Sequence, residues 1–267
     1  MINKILFLLL VSFSLNAQVN LNPAQVTNIA AKQRMYSQRL AKSKISKAYF
    51  IDVENAQKEI TMGLIIFEEN LKILGNYNAS PEYKQKIDRV ASLWTDYAQY
   101  IKSDDNSSIN KIYKNNTELL DACNDVVKEL NSYFKSKGTS EKTNYESQVS
   151  EFAATSGRLR YLSQRLALYY VYAYKNNNKS TTELKSSMDL FETTLTTLLT
   201  CQFNNSEIDE NISKIYSEWN KLKNLTSTDG TIKISEKSIA PEIMMENCNK
   251  ILSLGEKLTG MYVSLLK

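Results

Sequence analysis

Histidine is absent from this chain. That removes the commonest general base and the commonest metal ligand. Glycine (7) and proline (3) are scarce among 267 residues. Both break helices, and a β-sandwich or barrel of this length needs far more turn residues. Long helices are the expectation that remains. The three cysteines, Cys123, Cys201 and Cys248, are odd in number and form no CxxC, so they read as small buried hydrophobes and not as a disulfide framework. The formal net charge is only +4, with lysines and carboxylates interspersed. No concentrated basic stripe marks a nucleic-acid binder. There is no nucleophile–base pair, metal-ligand cluster or phosphate loop, so the reading is of a protein that is not an enzyme and needs no cofactor or metal.

What is present begins with an N-terminal segment of secretory type. Lys4 supplies a positive start, Ile5–Phe13 an apolar core, and Ser14-Leu15-Asn16-Ala17 a small-residue cleavage point before Gln18. Residues 1–17 are therefore expected to be a cleaved signal peptide. The apolar run is short for a membrane anchor, no cysteine follows for a lipid anchor, and no later stretch reads as a transmembrane helix. The expected location is periplasmic or secreted, with a soluble mature chain.

The most informative pattern is an internal repeat. Ala30–Ala41 reads AAKQRMYSQRLA and Ser156–Ala167 reads SGRLRYLSQRLA. They share R-x-x-S-Q-R-L-A at an offset of 126 residues. Three further anchors keep the order: Phe67-Glu68 with Phe191-Glu192, Trp94 with Trp219, and Cys123-Asn124 with Cys248-Asn249, at offsets of 124, 125 and 125. Each copy divides into four helical segments, near 24–50, 52–75, 80–103 and 108–136, then 141–175, 180–202, 206–225 and 236–266. The breaks between them carry turn and cap residues, as in Gly75–Pro81, Ser103–Asn106, Lys137–Ser140, Asn176–Asn178, Asn204–Ser206 and Thr228–Gly230. The expected fold is all-α, with two tandem up-down-up-down four-helix bundles, one over residues 18–137 and one over 138–267. Trp94 and Trp219 are expected as equivalent core residues on the third helix of each copy. Among Tyr169, Tyr170, Tyr172 and Tyr174, some must be core and others exposed, because adjacent residues do not share a helix face.

Residues three and four apart share a helix face. Around Arg34 that face holds Ala30, Ala31, Ser37, Gln38 and Ala41. Around Arg160 it holds Ser156, Gly157, Ser163, Gln164 and Ala167. Each arginine and glutamine thus sits in a stripe of small residues that admits a second backbone or a ligand. A desolvated arginine there needs an anionic partner. Arg39 and Arg165, with Lys32 and Arg158 seven residues before them, form a second basic stripe that is expected to be more exposed.

These motif residues resemble the PilJ-type N-terminal sensor domain of type IV pilus methyl-accepting chemotaxis transducers. They are also similar to the periplasmic helix of nitrate/nitrite sensor kinases. The resemblance implies a four-helix bundle whose first-helix arginines hold one anion at an interface between two bundles. Carried over, the first motif arginine is Arg34 and Arg160, the second is Arg39 and Arg165, and the glycine three residues before the first is Gly157 but Ala31 in the first copy. Family sensors usually continue into transmembrane and signalling domains, and none follows here, so signalling is expected to run through a protein partner in the cell envelope.

Two functions compete. In one, the copies pack as a pseudo-dimer and Arg34, Arg160, Gln38, Gln164, Ala31, Gly157, Ser37 and Ser163 surround a small anion, with nitrate or nitrite the choice the resemblance implies. In the other, the protein is an envelope scaffold without a small-molecule ligand, and carboxylates from neighbouring helices neutralise both arginines. A pocket of arginines that stabilises an anionic transition state is a third, enzymatic possibility, for which no reacting group is found.

Overall fold

The computed structural model describes residues 21–105, 107–137, 141–176, 182–226 and 240–266. The signal peptide expected at 1–17, the Gly138-Thr139-Ser140 link and the Thr228–Gly230 turn lie outside the described residues. Eight helices follow in chain order: α1 (Pro23–Ala48), α2 (Val53–Gly75), α3 (Pro81–Lys102), α4 (Ser107–Lys137), α5 (Glu141–Lys175), α6 (Thr182–Leu199), α7 (Ser206–Lys223) and α8 (Ala240–Ser264). No strand occurs among the described residues. The chain is an all-α helical bundle.

Local chemistry starts these helices where the sequence places them. Asn22 accepts a hydrogen bond from Gln25 N–H at 2.9 Å, while the Gln25 side chain accepts one from Asn22 N–H, and Pro23 occupies the first turn. This reciprocal capping satisfies donors that the helix itself leaves unpaired. Ser80 caps α3 before Pro81, and Asn205 caps α7 by accepting from Ile208 N–H.

Several helix ends differ from expectation: α6 stops at Leu199 and α7 at Lys223, short of 202 and 225. The first helix ends at Ala48, and Phe50 and Asp52 adopt left-handed backbone (φ 60° and 46°). Ile51 between them is buried, and its N–H returns to Ser46 O at 2.9 Å. That anchor turns the chain sharply into α2 and leaves the Phe50 side chain 88% exposed.

α1 packs on α2 and α4, and α3 packs on α4; α5 packs on α6 and α8, and α7 packs on α8. α1 and α5 then lie against each other, side by side. This central place explains their composition. α1 buries 17 of its 26 residues, many of them small or polar, whereas the outer α2 buries five of 23. A helix enclosed on most sides has no single apolar stripe; its close neighbours are accommodated by Ala30, Ala31 and Ala41, and by Ser156, Gly157 and Ala167.

The core repeats its aromatic anchors. Phe67 stacks on Trp94 with ring centroids 3.9 Å apart, and Phe191 stacks on Trp219 at 4.5 Å. Both tryptophans are buried, on α3 and α7. The three cysteines are free and buried. Tyr169 and Tyr170 are core, while Tyr172 and Tyr174 are half-buried.

A buried arginine pair at the α1–α5 seam

The helical period puts Arg34 of α1 and Arg160 of α5 on the faces that meet at the seam. Arg34 is 3% exposed and Arg160 0%. Their guanidinium groups converge: a Cβ built on Gly157 would lie 3.0 Å from Arg160 Nη2 and 3.2 Å from Arg34 Nη2. It would also lie 3.5 Å from Ala31 Cβ, so Ala31 and Gly157 face each other across the seam. A methyl group there would crowd both guanidinium ends, which would have to shift by a few tenths of an ångström.

Each arginine reaches across to the other helix in an equivalent way. Arg160 Nη2 donates to Asn28 Oδ1 at 3.1 Å, and Arg34 Nη2 donates to the Ala154 carbonyl at 3.1 Å. Asn28 and Ala154 each stand six residues before the arginine of their own helix. Behind them, Ser37 and Ser163 donate to the Arg34 and Arg160 carbonyls, both at 2.8 Å, and accept from Gln38 and Gln164 at 3.3 Å.

The electrostatics are not equivalent. Arg160 Nη1 meets Glu256 Oε2 of α8 at 3.0 Å. Arg34 has only neutral partners: Asn124 Oδ1 at a long 3.4 Å, Ala154 O, and the face of the Tyr161 ring, whose centroid is 5.4 Å away. No carboxylate among the described residues comes within 4.0 Å of it. Burial, with a smaller contribution from the Arg160 charge, lowers the Arg34 guanidinium from 12.5 to about 10. Burial also lowers Arg160, and Glu256 opposes that change. The Nε atoms of both arginines are buried without a hydrogen-bond partner.

Beside the pair, between α1, α5 and α8, is a gap of about 10 Å³ lined by Ala24, Thr27, Asn28, Ala31, Ser150, Ala153, Ala154 and Thr259. That volume is at the lower limit for one water molecule. Thr27 is among its lining residues, and the Thr27 hydroxyl is buried and has no hydrogen-bond partner.

The second basic stripe is more exposed than the first pair, though its motif arginines are engaged. Arg39 is bound by Glu59 of α2 at 3.0 Å, and Arg158 is exposed. Arg165 crosses the seam to Gln38 Oε1, Asn116 Oδ1 and Thr117 Oγ1 at 3.1–3.2 Å, with its guanidinium over the Tyr169 ring. Gln164 Oε1, the counterpart of Gln38 Oε1, has no partner. The reason is that Arg39, the counterpart of Arg165, is held by Glu59.

Glu59 also binds Lys42, which is fully buried, at 2.8 Å, and accepts a hydrogen bond from Ser43. Burial alone would raise the Glu59 carboxyl, but Lys42 and Arg39 more than reverse this and hold it at about 2. Lys42 is lowered, because burial outweighs its single carboxylate partner. Its Nζ reaches Asn249 of α8 at 3.2 Å, tying the first half of the chain to the second.

The structure therefore brings together Arg34, Arg160, Ala31 and Gly157, with Ser37, Ser163, Gln38 and Gln164 behind them. It adds residues that were not among the expected site residues: Asn28, Glu256, Asn124, Tyr161, Thr27 and Lys42. Lys42 alone carried a local signal, since it lies eight residues after Arg34 and four after Gln38, on the same face. Asn124 belongs to the Cys-Asn anchor and Tyr161 follows Arg160 within the motif, but neither position signals a contact with Arg34; Asn28, Thr27 and Glu256 lie outside the motif.

No curated protein and no solved structure gives a significant match to the chain. Residues 15–118 match the PilJ family, described as "Type IV pili methyl-accepting chemotaxis transducer N-term". The matched segment takes in Arg34 and runs into α4, ending before Arg160. Over residues 15–118, then, the chain is similar to the PilJ family of transducer N-terminal domains.

Proposed function

We propose that the protein is an exported sensory module that binds one small anion between α1 and α5, using Arg34 and Arg160, and passes the binding event to a protein partner in the envelope. In this reading residues 18–137 and 138–267 are two copies of one PilJ-type unit packed as an internal pseudo-dimer. The observation that carries it is the charge balance: two fully desolvated guanidinium groups converge on Gly157, and among the described residues only one carboxylate faces them. A buried unpaired cation is costly, and an anion accepting charge-assisted bonds from both groups would offset that cost. The unpartnered Nε atoms and the Thr27 hydroxyl are donors that such an anion could use. The gap beside the pair is smaller than nitrate, so binding requires the seam to loosen locally; this movement is what a partner would sense. Nitrate and nitrite are the ligands the family resemblance favours.

The Arg160–Glu256 pair favours the second reading, a scaffold with internally neutralised arginines. Arg34, which has no such acid among the described residues, weighs against it.

The test is a thermal-shift series on the mature protein with nitrate, nitrite, chloride, sulfate and small carboxylates at matched ionic strength. A ligand at a hundred times its Kd stabilises the fold by roughly 2.7 kcal/mol. A selective shift that is lost in both Arg34→Ala and Arg160→Ala supports the proposal. A flat response to every anion replaces it with the scaffold reading.

A further inference from the structure

The two halves of the arginine site differ at one ionisable position. Glu256 of α8 binds Arg160. The residue 125 positions earlier, the offset shared by Cys123 and Cys248, is Asn131 of α4, an amide. The pair of arginines carries two positive charges, and Glu256 returns one negative charge. The other polar groups that touch the arginines (Asn28, Asn124 and the Ala154 carbonyl) are neutral. Arg158, which also faces Arg34 electrostatically, is exposed and screened by solvent. The desolvated region is therefore left with a single net positive charge.

We propose that Glu256 sets the charge of the ligand: it limits the site to small monovalent anions and rejects dianions of similar size. This rests on the anion-binding reading above. Glu256 suits the task because it occupies Nη1 of Arg160 but not its Nε, and the Nε of Arg34 is likewise unpartnered. A monovalent anion at those atoms brings the buried charge to zero. A dianion leaves an uncompensated negative charge in the same low-dielectric region and faces the Glu256 carboxylate as well. Burying unpaired charge of either sign is costly, so the discrimination is against charge and not size. Because Glu256 is half-exposed while Arg160 is fully buried, its carboxylate can be replaced with little disturbance of packing.

The experiment measures nitrate and sulfate affinities by calorimetric titration for the wild-type chain, Glu256→Gln and Arg34→Ala. The wild type is expected to bind nitrate at least tenfold more tightly than sulfate. Glu256→Gln is expected to reverse that order, because the site then carries two positive charges. If Glu256→Gln folds only with added sulfate, that rescue is the same result read through stability. Wild-type protein that binds sulfate as well as nitrate overturns the inference, whether or not the variant folds. So does an unchanged nitrate-to-sulfate ratio in Glu256→Gln. Both outcomes leave the anion site itself standing, provided Arg34→Ala abolishes binding. Absence of binding by any protein to either anion removes the anion-binding reading and this inference with it.

Discussion

Replacing Arg34 with methionine removes a buried cation that has no acid partner, and this perturbation separates a functional arginine from a structural one. Burial holds the Arg34 guanidinium at about 10 in place of 12.5. At roughly 1.36 kcal/mol per pH unit, the charged form is penalised by about 3 kcal/mol in the fold. Against that stand the bond to Ala154 O at 3.1 Å, the long bond to Asn124 and the Tyr161 ring contact. Together they are worth about 1–2 kcal/mol. Methionine fills much of the same volume without charge. Arg34→Met is therefore expected to stabilise the ligand-free protein by about 1–2 kcal/mol, in line with the gain seen when buried ions are replaced by apolar groups. Urea denaturation in a buffer whose only anion is bulky gives the number, read as a higher midpoint at constant slope. The same variant is expected to lose the nitrate-dependent stabilisation, so saturating nitrate should narrow or reverse the order of stabilities. A loss of more than 1 kcal/mol in the anion-free buffer would refute the reasoning, since it would mean that Arg34 is already well compensated within the fold.

Other expectations follow from the same geometry. Gly157→Ala places a methyl group 3.0–3.2 Å from both Nη2 atoms; it should leave stability within about 1 kcal/mol, since alanine also improves helix propensity, yet weaken anion binding at least tenfold by titration. Glu59 has its carboxyl lowered from 4.5 to about 2, so its stabilisation is fully present above pH 4.5 and is lost as pH falls through 2. That amounts to about 3 kcal/mol, and acid denaturation of Glu59→Gln should lack this component while its stability at neutral pH is lower by a similar amount. Burial pushes the Cys123 and Cys248 thiols up to about 12, so neither should react with a thiol reagent in the native protein at pH 8, and both should react once urea unfolds it. Phe67→Ala removes the ring stacked on Trp94 and should cost about 3–5 kcal/mol, measured by the same urea titration.

Much of this protein is readable from residue order alone. Scarce glycine and proline, together with caps such as Asn22-Pro23 and Ser80-Pro81, determine where the helices begin, because these signals act within one turn of the backbone. The helix ends are less legible: α1 stops before Phe50 because Ile51 inserts into the core and forces left-handed backbone around it, a tertiary demand with no local signature. The motif places Arg34, Ser37 and Gln38, and likewise Arg160, Ser163 and Gln164, on one face each, since the period of 3.6 residues is a property of the chain itself. Neither the partner of that face nor its electrostatics can be read the same way. Only the packing of α1 against α5 decides that the arginines converge on Gly157. Only α8 supplies Glu256 to one of them and not to the other, and only α2 diverts Arg39 to Glu59 while Arg165 crosses the seam. Those contacts join residues 20 to 127 positions apart. Burial and charge balance are sums over such contacts, so they exist only once the helices have assembled.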